Sequence, residues 1–342
     1  MTWVLDDRFF ELDRIFGNEK SQLAAQSHAQ AIDSIERFVE QENISCDFKR
    51  LDGYLFAPPD DFEILDKEWK ALQKIKLKSE LVDRTPWKKF DTGRCIRFPN
   101  QGQFHILKYL DGMLKAFVRM GGRAYGYTPA QNIKNKKPCA VKTPHATIHA
   151  KDIIVATCTP VNDRVTIHTK QAAYRTYVIG ALIPDDKNIA DALYWDTLVP
   201  YHYIRLQSCA EDKTKLWLLI GGEDHKTGQE KHVDQNYKVL ADWAKERFSI
   251  NDIQYRWSGQ VYEPVDSLAF IGKNPHDDHV YIATGDSGAG LLIPDLIEGK
   301  THKWQEFYDP ARKTIATIPE FVKENFNTLI QLDSGIVITQ AC

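Results

Sequence analysis

The sequence has no pair of cysteines at metal-binding spacing, no long apolar run and no excess of positive charge. Its six cysteines are scattered without CxxC or CxH spacing, which excludes a zinc knuckle or a Rieske cluster built from local pairs. No stretch approaches the roughly 18 consecutive apolar residues of a membrane span. The formal net charge of −3 supplies no attractive field for nucleic acid. We therefore expect neither a membrane nor a nucleic acid as a partner.

The N-terminal sequence MTWVLDDRFFELDR has early acidic residues and no apolar core of signal-peptide length. Large chains without a secretion signal generally keep their cysteines reduced, so we expect free thiols and a cytoplasmic location. With 342 residues, of which 43% are hydrophobic and 27% charged, the chain is long enough for a large core and two domains.

Two apolar runs, far apart in the sequence, end in the same way. The run Val280–Thr284 is followed by Gly285-Asp286-Ser287-Gly288, and Asp152–Thr157 is a second apolar run that closes on Ala-Thr. A buried strand followed by a glycine turn is where α/β proteins bind ligands, because glycine lets backbone N–H groups approach oxygen-rich groups closely. We expect both strands in one domain, with Thr157 and Gly285 facing a common cleft.

The chain up to residue 95 has the periodicity of amphipathic helices. Apolar residues recur at three- and four-residue spacing in two stretches, and a strand is expected between them at Leu51–Phe56. The two apolar faces comprise Ile32, Ile35, Phe38 and Val39, and then Phe62, Leu65, Trp69, Leu72 and Ile75. We interpret both faces as core, because a helix has to bury an apolar face.

A further helix is predicted over Ile106–Met120, ended by Gly121-Gly122. Its apolar face is expected to point inward and comprises Leu107, Leu110, Leu114, Phe117 and Val118. A hairpin that turns at Pro144-His145 is expected to follow. His105 lies directly before the helix and suits two roles. We favour hydrogen bonding at the helix start, and catalysis is the alternative.

Strands dominate from residue 161 to about 260. Alternation of apolar and polar residues predicts four strands of one mainly antiparallel sheet, with a helix over Val233–Phe248 before the last of them. The four strands are Tyr174–Ile183, Tyr201–Gln207, Lys215–Ile220 and Tyr255–Val261.

Polar and aromatic residues in this region are the candidates for ligand contact. Tyr201, Tyr203 and Arg205 alternate along one strand and so share a face, an aromatic wall with a cationic end. Such a wall suits the hydrocarbon part of an amine or a carboxylate; amphipathic cover for the sheet is the alternative interpretation. Glu223-Asp224-His225 contains potential metal ligands, but one histidine beside two acids is more typical of a hydrogen-bonded corner.

Five strings carry a resemblance to a known family. They read HTKQAAYRTYVIGA, YWDTLVPYHYIRLQ, GGEDHKTGQ, YRWSGQVYEPVDSLAFIG and VYIATGDSG. With them the chain resembles the FAD-dependent amine and amino-acid oxidoreductases of the D-amino-acid oxidase and glycine oxidase type. It looks most like the bacterial subgroup whose flavoprotein module often precedes a Rieske iron–sulfur domain.

The resemblance implies an α+β fold of two domains, with an α/β FAD-domain portion and an antiparallel substrate-domain sheet. It assigns residues 1–95 to a helical part of the substrate or cap region, 96–160 and 263–300 to the FAD domain, 161–262 to the substrate-domain sheet and 301–342 to a helical tail. The expected cofactor contacts are Thr157, Gly285, Asp286 and Ser287, and the expected substrate contacts are Tyr203 and Arg205.

The sequence departs from the family pattern at two places. Such a flavoprotein opens with a strand, a G-x-G-x-x-G turn and a helix whose N-terminus takes the FAD pyrophosphate, and this motif does not occur here. We expect about 60 to 80 residues, one βαβ unit with its loop, and a Rieske domain to be missing. Val261 stands where amino-acid-specific members place the arginine that grips the substrate carboxylate, which favours an amine over an α-amino acid.

Two functions follow from this sequence. The first is FAD-dependent oxidation of a small amine or amino acid by hydride transfer to the flavin. The second is a truncated, non-catalytic remnant or interaction protein that does not retain FAD. We expect the chain alone to bind FAD weakly or not at all, and we expect an exposed sheet edge through which it forms an oligomer.

Overall fold

A computed structural model describes residues 1–312 except 6, 60, 159–166, 168–169, 230–232, 249, 251, 276 and 286–291. The predictions for Asp286 and Ser287 and for residues 313–342 of the tail therefore lie outside the described residues. In the described part of the chain, no helix combines the length and apolarity needed to cross a bilayer.

Helices and strands are interspersed along the described chain, with the strands β4 to β11 following one another between α4 and α5. The helices are α1 Phe9–Phe16, α2 Asn18–Gln41, α3 Glu63–Lys74, α4 Ile106–Arg119, α5 Val233–Arg247, α6 Leu292–Ile297 and α7 Gln305–Tyr308. The strands are β1 Lys49–Phe56, β2 Glu80–Val82, β3 Cys95–Gln103, β4 Asn132–Lys134, β5 Cys139–Lys142, β6 Thr147–Ala150, β7 Ile153–Val155, β8 Gln171–Pro184, β9 Leu193–Asp196, β10 His202–Ser208, β11 Lys215–Lys226, β12 Tyr255–Pro264, β13 Phe270–Lys273 and β14 Val280–Thr284.

The larger sheet has eight strands in the order β12-β8-β11-β10-β9-β1-β3-β2. The four strands expected between residues 174 and 261 are β8, β10, β11 and β12, and each pairs antiparallel with its neighbour among them. The prediction of one antiparallel sheet is therefore confirmed. Strand β1 pairs in parallel with β9, so the N-terminal part of the chain, expected to be mainly helical, also contributes strands to this sheet.

The two faces of this sheet have different surroundings, because side chains alternate across a strand. We call the face packed against α5 the back face; its core includes Tyr177, Ile179, Ile204, Leu206, Leu218, Ile220, Leu240 and Ala244. The opposite, front face is covered at its β1 and β3 end by α1, α2 and α3, in a core that includes Phe9, Leu12, Ile32, Leu55, Leu65, Leu72, Phe98 and Trp195. The helical face expected around Leu65 is thus confirmed as core. Of the face expected on α2, Ile32 is buried, whereas Ile35, Phe38 and Val39 are only half-buried and lie outside this core.

Two smaller sheets complete the described fold. The order β13-β14-β7 forms one of them, with β14 parallel to β7 and antiparallel to β13. The other is the antiparallel meander β4-β5-β6, whose second turn contains the predicted Pro144-His145 hairpin. A parallel pair beside a large antiparallel sheet is the α+β arrangement expected from the sequence.

Helix α4 has the bounds expected from the sequence but not the expected orientation. The residues expected to point inward, Leu107, Leu110, Leu114, Phe117 and Val118, are instead 48% to 68% exposed. The helix packs against the protein through the side that carries its small residues. On this side a Cβ added to Gly112 would lie 2.5 Å from Ile44 Cγ2, and Ala116 is buried. Periodicity identified the apolar face correctly; it did not show whether the described chain covers that face.

Candidate functional site

The carboxyl ends of β7 and β14 lie side by side. The two strands pair in parallel with Val280 opposite Ile153 and Ile282 opposite Val155, which confirms that the two apolar runs belong to one sheet. At the end of β14, Thr284 Oγ1 donates a hydrogen bond to the Cys158 carbonyl oxygen at 2.6 Å. Thr157 and Gly285, the neighbours of these two residues, therefore lie at the same end of the sheet, and Thr157 is exposed.

Gly285 is required by packing at this position. Its φ is +90°, and an added Cβ would lie 2.6 Å from Pro264 Cγ and 3.2 Å from Ala269 Cα. Both a left-handed backbone and close approach to β12 therefore select glycine. Its part in cofactor binding stays a prediction.

Strand β8 connects these strand ends with the front face of the larger sheet. At its start, Gln171 Oε1 accepts a hydrogen bond from Thr284 Oγ1 at 3.2 Å. Five residues further along the strand, Thr176 Oγ1 lies 3.4 Å from Tyr203 Oη. At about 3.4 Å per residue, the two contacts are separated by about 17 Å along β8.

Tyr203 lies flat across the front face because its neighbour is a glycine. Tyr203 pairs with Gly221, and a Cβ at position 221 would overlap ring atoms Cζ, Oη and Cε2 of Tyr203. The phenol thus passes over β11 to reach Thr176 on β8. The Tyr201 ring lies 5.9 Å from that of Tyr203, and the aromatic surface continues across the sheet to Trp217 and Tyr255, whose rings are 5.0 Å apart.

Arg205 occupies the same face as Tyr203, two residues further along β10. It is half-buried, and among the described residues its guanidinium makes no hydrogen bond or ion pair. Burial lowers the pKa of this guanidinium, and the neighbouring Tyr203 raises it. An arginine that loses water without gaining an acidic partner is uncommon in proteins. The predicted aromatic wall with a cationic end is present, and substrate contact by Tyr203 and Arg205 stays a prediction.

Val261 is also on the front face, but far from Arg205. It pairs with Tyr174 on β8, and the strand order places three strand spacings between β12 and β10, which amounts to about 14 Å. Arg205 therefore does not replace an arginine at position 261. A negatively charged group held by Arg205 would lie over a different part of the sheet.

A buried polar cluster on the back face was not anticipated from the sequence. His202 Nδ1 is 2.8 Å from Asp196 Oδ2, and His202 Nε2 is 3.1 Å from Glu223 Oε1. Burial disfavours the charged imidazole, but the hydrogen bonds to the two carboxylates outweigh it and raise the pKa of His202. Because its ring stacks on Trp243 of α5 at 4.3 Å, this cluster faces away from Tyr203 and joins α5 to the sheet.

The other residues singled out in the sequence have local roles. His105 caps α4, with its Nδ1 accepting a hydrogen bond from the Lys108 backbone N–H, as favoured above. Glu223-Asp224-His225 lies within β11, where the pairing with β8 shifts register, and not in a turn. Glu223 contacts His202, while His225 Nδ1 lies 3.2 Å from Asn236 Nδ2, so these two side chains contact different parts of the molecule.

The described residues suit one end of FAD better than the other. The adjacent strand ends offer backbone and the exposed residue Thr157 to a flavin. In the described elements, no strand leads through a G-x-G-x-x-G turn into a helix, which is the usual cradle for a pyrophosphate. The described residues therefore fit the flavin end and do not fit the phosphates.

Comparisons with known proteins agree with this architecture. Residues 13–293 match the family model described as FAD dependent oxidoreductase. The chain is 27% identical over 314 residues to a putative Rieske 2Fe-2S iron–sulfur protein of Bacillus subtilis, covering 88% of this chain and 60% of that protein. It is 22% identical over 326 residues to gamma-glutamylputrescine oxidoreductase of Escherichia coli, covering 86% of this chain and 72% of that protein.

Solved structures show the same fold at low identity. Glycine oxidase from Geobacillus kaustophilus superposes with a TM-score of 0.68 at 17% identity, covering 85% of this chain and 82% of that one. L-proline dehydrogenase from P. horikoshii gives a TM-score of 0.64 at 15% identity, covering 84% and 83%. The chain spans 60% and 66% of the lengths of the first two curated relatives it matches. The family match extends over most of the sequence, and the chain belongs to the FAD dependent oxidoreductase family.

Proposed function

We propose that this chain is the flavoprotein module of an oxidoreductase that oxidises the C–N bond of a small amine or amino acid. The observation that carries the proposal is the arrangement along β8. One end of this strand contacts the carboxyl end of β14, and its middle contacts Tyr203 on an open aromatic face. Gln171 and Thr176 are five residues apart, so their side chains point to opposite faces of β8. The strand links the two sheets, and we assign the ligand to its front face, beside Tyr203.

The proposed cofactor contacts are Thr157, Gly285, Asp286 and Ser287. The flavin, when bound, supplies the redox chemistry by accepting a hydride. The chain's own contribution is to orient the substrate and to exclude water from it. We assign orientation to Tyr203, through its ring and hydroxyl, and to Arg205, whose positive charge has no acidic partner among the described residues and can hold an anionic group of the substrate.

Names of similar proteins support the same substrate class. The E. coli relative is named for gamma-glutamylputrescine, an amine, and the solved structures are named for glycine and L-proline. Position 261 on β12 carries a valine and so supplies no guanidinium. A substrate whose α-carboxylate would have to be held at that position is therefore disfavoured. A substrate that carries its amine and its negative charge well apart agrees with an anion site at Arg205.

The test is anaerobic reduction of flavin by matched amines. The purified protein is kept in excess FAD, and the flavin absorption is followed after adding pairs of amines that differ only in a distal carboxylate. We expect reduction by some amines and faster reduction by the acidic member of each pair. Arg205→Met should remove that preference, and Tyr203→Ala should lower turnover more than flavin content. Bound flavin that no amine reduces would overturn the proposal.

The second candidate function is a non-catalytic interaction protein that does not hold FAD. The exposed apolar face of α4 favours it, since monomeric soluble proteins rarely expose a contiguous apolar patch without a partner. The same purified protein distinguishes the two candidates. Protein that binds no flavin even in excess FAD supports the interaction protein.

A further inference from the structure

The start of β10 is held by a side chain as well as by strand pairing. The ladder between β9 and β10 comprises two residue pairs. Next to that ladder, Asp196 Oδ1 accepts hydrogen bonds from the backbone N–H groups of Leu198, at 3.2 Å, and of His202, at 2.8 Å. The carboxylate closes the loop between the two strands and fixes the backbone directly before Tyr203.

His202 extends this attachment to β11. Its Nδ1 lies 2.8 Å from Asp196 Oδ2, and its Nε2 lies 3.1 Å from Glu223 Oε1. Ionised carboxylates only accept hydrogen bonds, so both ring nitrogens donate and the ring is a buried imidazolium. Burial opposes this charge, and the hydrogen bonds to the two carboxylates outweigh burial and raise the pKa of His202. We call these three residues the Asp196–His202–Glu223 bridge.

Glu223 has a strained backbone at the point where it contacts the histidine. Its φ is +57°, in a region that residues other than glycine seldom occupy. Such residues persist where the surrounding structure fixes them, and they cluster at functional sites. Glu223 directly follows Gly222, the partner of His202 in the β10–β11 ladder, so the strain occurs where β11 brings a carboxylate to the start of β10.

Further charged groups of the described chain lie around this bridge. Arg8 Nη2 donates to the Asp196 backbone oxygen at 2.9 Å, and Asp91 lines a cavity together with Asp196 and Arg247. Arg247 Cζ lies 4.3 Å from the centre of the Trp243 ring on which the imidazole stacks, and its Nη1 donates to the Trp243 backbone oxygen. Because both arginines bond backbone oxygens here, the positive charge held by the two carboxylates of the bridge is the imidazolium.

Tyr203 lies on the other face of the same strand. Consecutive side chains of a strand point to opposite faces. The bridge therefore holds the back of β10, and the phenol lies on its front, over Gly221 and 3.4 Å from Thr176. A shift of the His202 backbone moves the Tyr203 ring with it, because the two residues are adjacent. The bridge can thus determine where the phenol lies without touching a ligand.

We propose that the Asp196–His202–Glu223 bridge is a positioning element that holds Tyr203 in place for the substrate, and that it does so only with His202 protonated. The part played by Tyr203 rests on the proposed function, whereas the bridge itself does not. The bridge is complete below the folded-state pKa of His202. As the pH rises through that pKa, the bridge loses a hydrogen bond and two carboxylates are left facing a neutral ring. The start of β10 then loosens, and Tyr203 loses its fixed position.

Nuclear magnetic resonance of the full chain tests the bridge without substrate or flavin. Protein with isotope labels in its tyrosine and histidine rings is titrated with base, and Tyr203→Phe and His202→Gln identify the two signals. We expect the Tyr203 signal to shift in step with the titration of His202. Glu223→Gln should move both changes to lower pH together, because one carboxylate no longer favours the imidazolium. This variant also identifies the His202 signal if His202→Gln does not fold. A Tyr203 signal that does not follow the titration of His202 overturns the proposal.

The kinetic test compares kcat/KM of native protein and His202→Gln for an amine that reduces the flavin, in excess FAD. We expect the native protein to be faster by about tenfold to a hundredfold at low pH, with the ratio approaching unity as the pH rises through the pKa of His202. Titration of the amine cancels in this ratio, and the flavin content of the two proteins should be equal. A ratio that does not change with pH overturns the proposal.

The matched control is His279→Gln. It removes an imidazole whose Nδ1 lies 3.0 Å from Asp152 Oδ1, beside β14 and away from β10, and its kcat/KM should equal that of the native protein at every pH. If no amine reduces the flavin, the proposed function fails, and the resonance titration alone decides whether the bridge positions Tyr203.

Discussion

The position of Tyr203 depends on the absence of a side chain at Gly221, and this dependence can be measured. Gly221→Ala places a methyl group inside the ring of Tyr203, because an added Cβ overlaps three of its side-chain atoms. The phenol has to swing off β11 and lose its contact with Thr176. Overpacking of this kind costs about 1–3 kcal/mol.

A matched glycine isolates this cost. Gly259 lies on the same front face, and a Cβ added there meets only Thr176 Cγ2, at 3.9 Å. Both replacements gain about 0.5–1 kcal/mol from the lower flexibility of alanine in a strand. That gain cancels when Gly221→Ala is compared with Gly259→Ala, so the free energies of unfolding of the two variants should differ by about 1–3 kcal/mol.

Urea denaturation followed by tryptophan fluorescence gives both free energies of unfolding. In a second step, Tyr203→Ala is combined with Gly221→Ala, since removing the ring should make the added methyl group harmless. We expect the double variant to lose no more stability than Tyr203→Ala alone. Equal stability of Gly221→Ala and Gly259→Ala would contradict the proposed position of the phenol over β11.

Three further predictions concern charges. Arg312 donates hydrogen bonds to both Asp266 carboxylate oxygens, at 2.8 and 2.7 Å, and both side chains are buried. Arg312→Met should therefore lower the free energy of unfolding, measured by chemical denaturation, by about 3–5 kcal/mol. Adding Asp266→Asn to the same chain should restore part of that free energy. The pKa of His202 is raised, so its charged form contributes stability that is complete below about pH 6.5 and is lost as the pH rises through the folded-state pKa. The difference in unfolding free energy between the native protein and His202→Gln should therefore shrink over that pH range. Unfolding free energies of the two proteins that stay parallel as the pH changes would contradict this prediction. Arg205→Met removes a half-buried charge that has no acidic partner in the described part of the chain, and it should stabilise the protein by about 0.5–1 kcal/mol. A loss of stability on thermal denaturation would show that Arg205 has a structural partner.

The sequence predicted the large sheet well because its faces have different surroundings. Strands β8, β10, β11 and β12 show the two-residue period that arises when one face packs against α5 and the other stays open. A helix cap supplied by a residue next to the helix, such as His105, could be predicted equally well from the sequence. The cap of α1 could not, because its partner is remote in the sequence: the carboxylate of Glu68 accepts hydrogen bonds from the Phe9 and Phe10 N–H groups.

The candidate site was only partly predictable for a related reason. Alternation placed Tyr203 and Arg205 on one face, and local composition marked the ends of β7 and β14. The cluster of Asp196, His202 and Glu223 depends on strand register, with His202 opposite Gly222 and the β11–β8 pairing interrupted after that residue. Nothing local in the sequence specifies that register, so the cluster was missed.

The most direct test of this account is the retention of FAD by the 342-residue chain. The account combines a pair of strand ends that we propose to face the flavin with the absence of a G-x-G-x-x-G motif from the sequence. The protein is incubated with excess FAD and desalted, and the remaining flavin is measured by absorbance against protein concentration. Because each ~1.4 kcal/mol of lost phosphate contact weakens binding tenfold, we expect flavin to bind in the presence of excess FAD and to be largely lost on desalting. Near-stoichiometric retention by a monodisperse protein would contradict the account, since another part of the chain would then hold the phosphates.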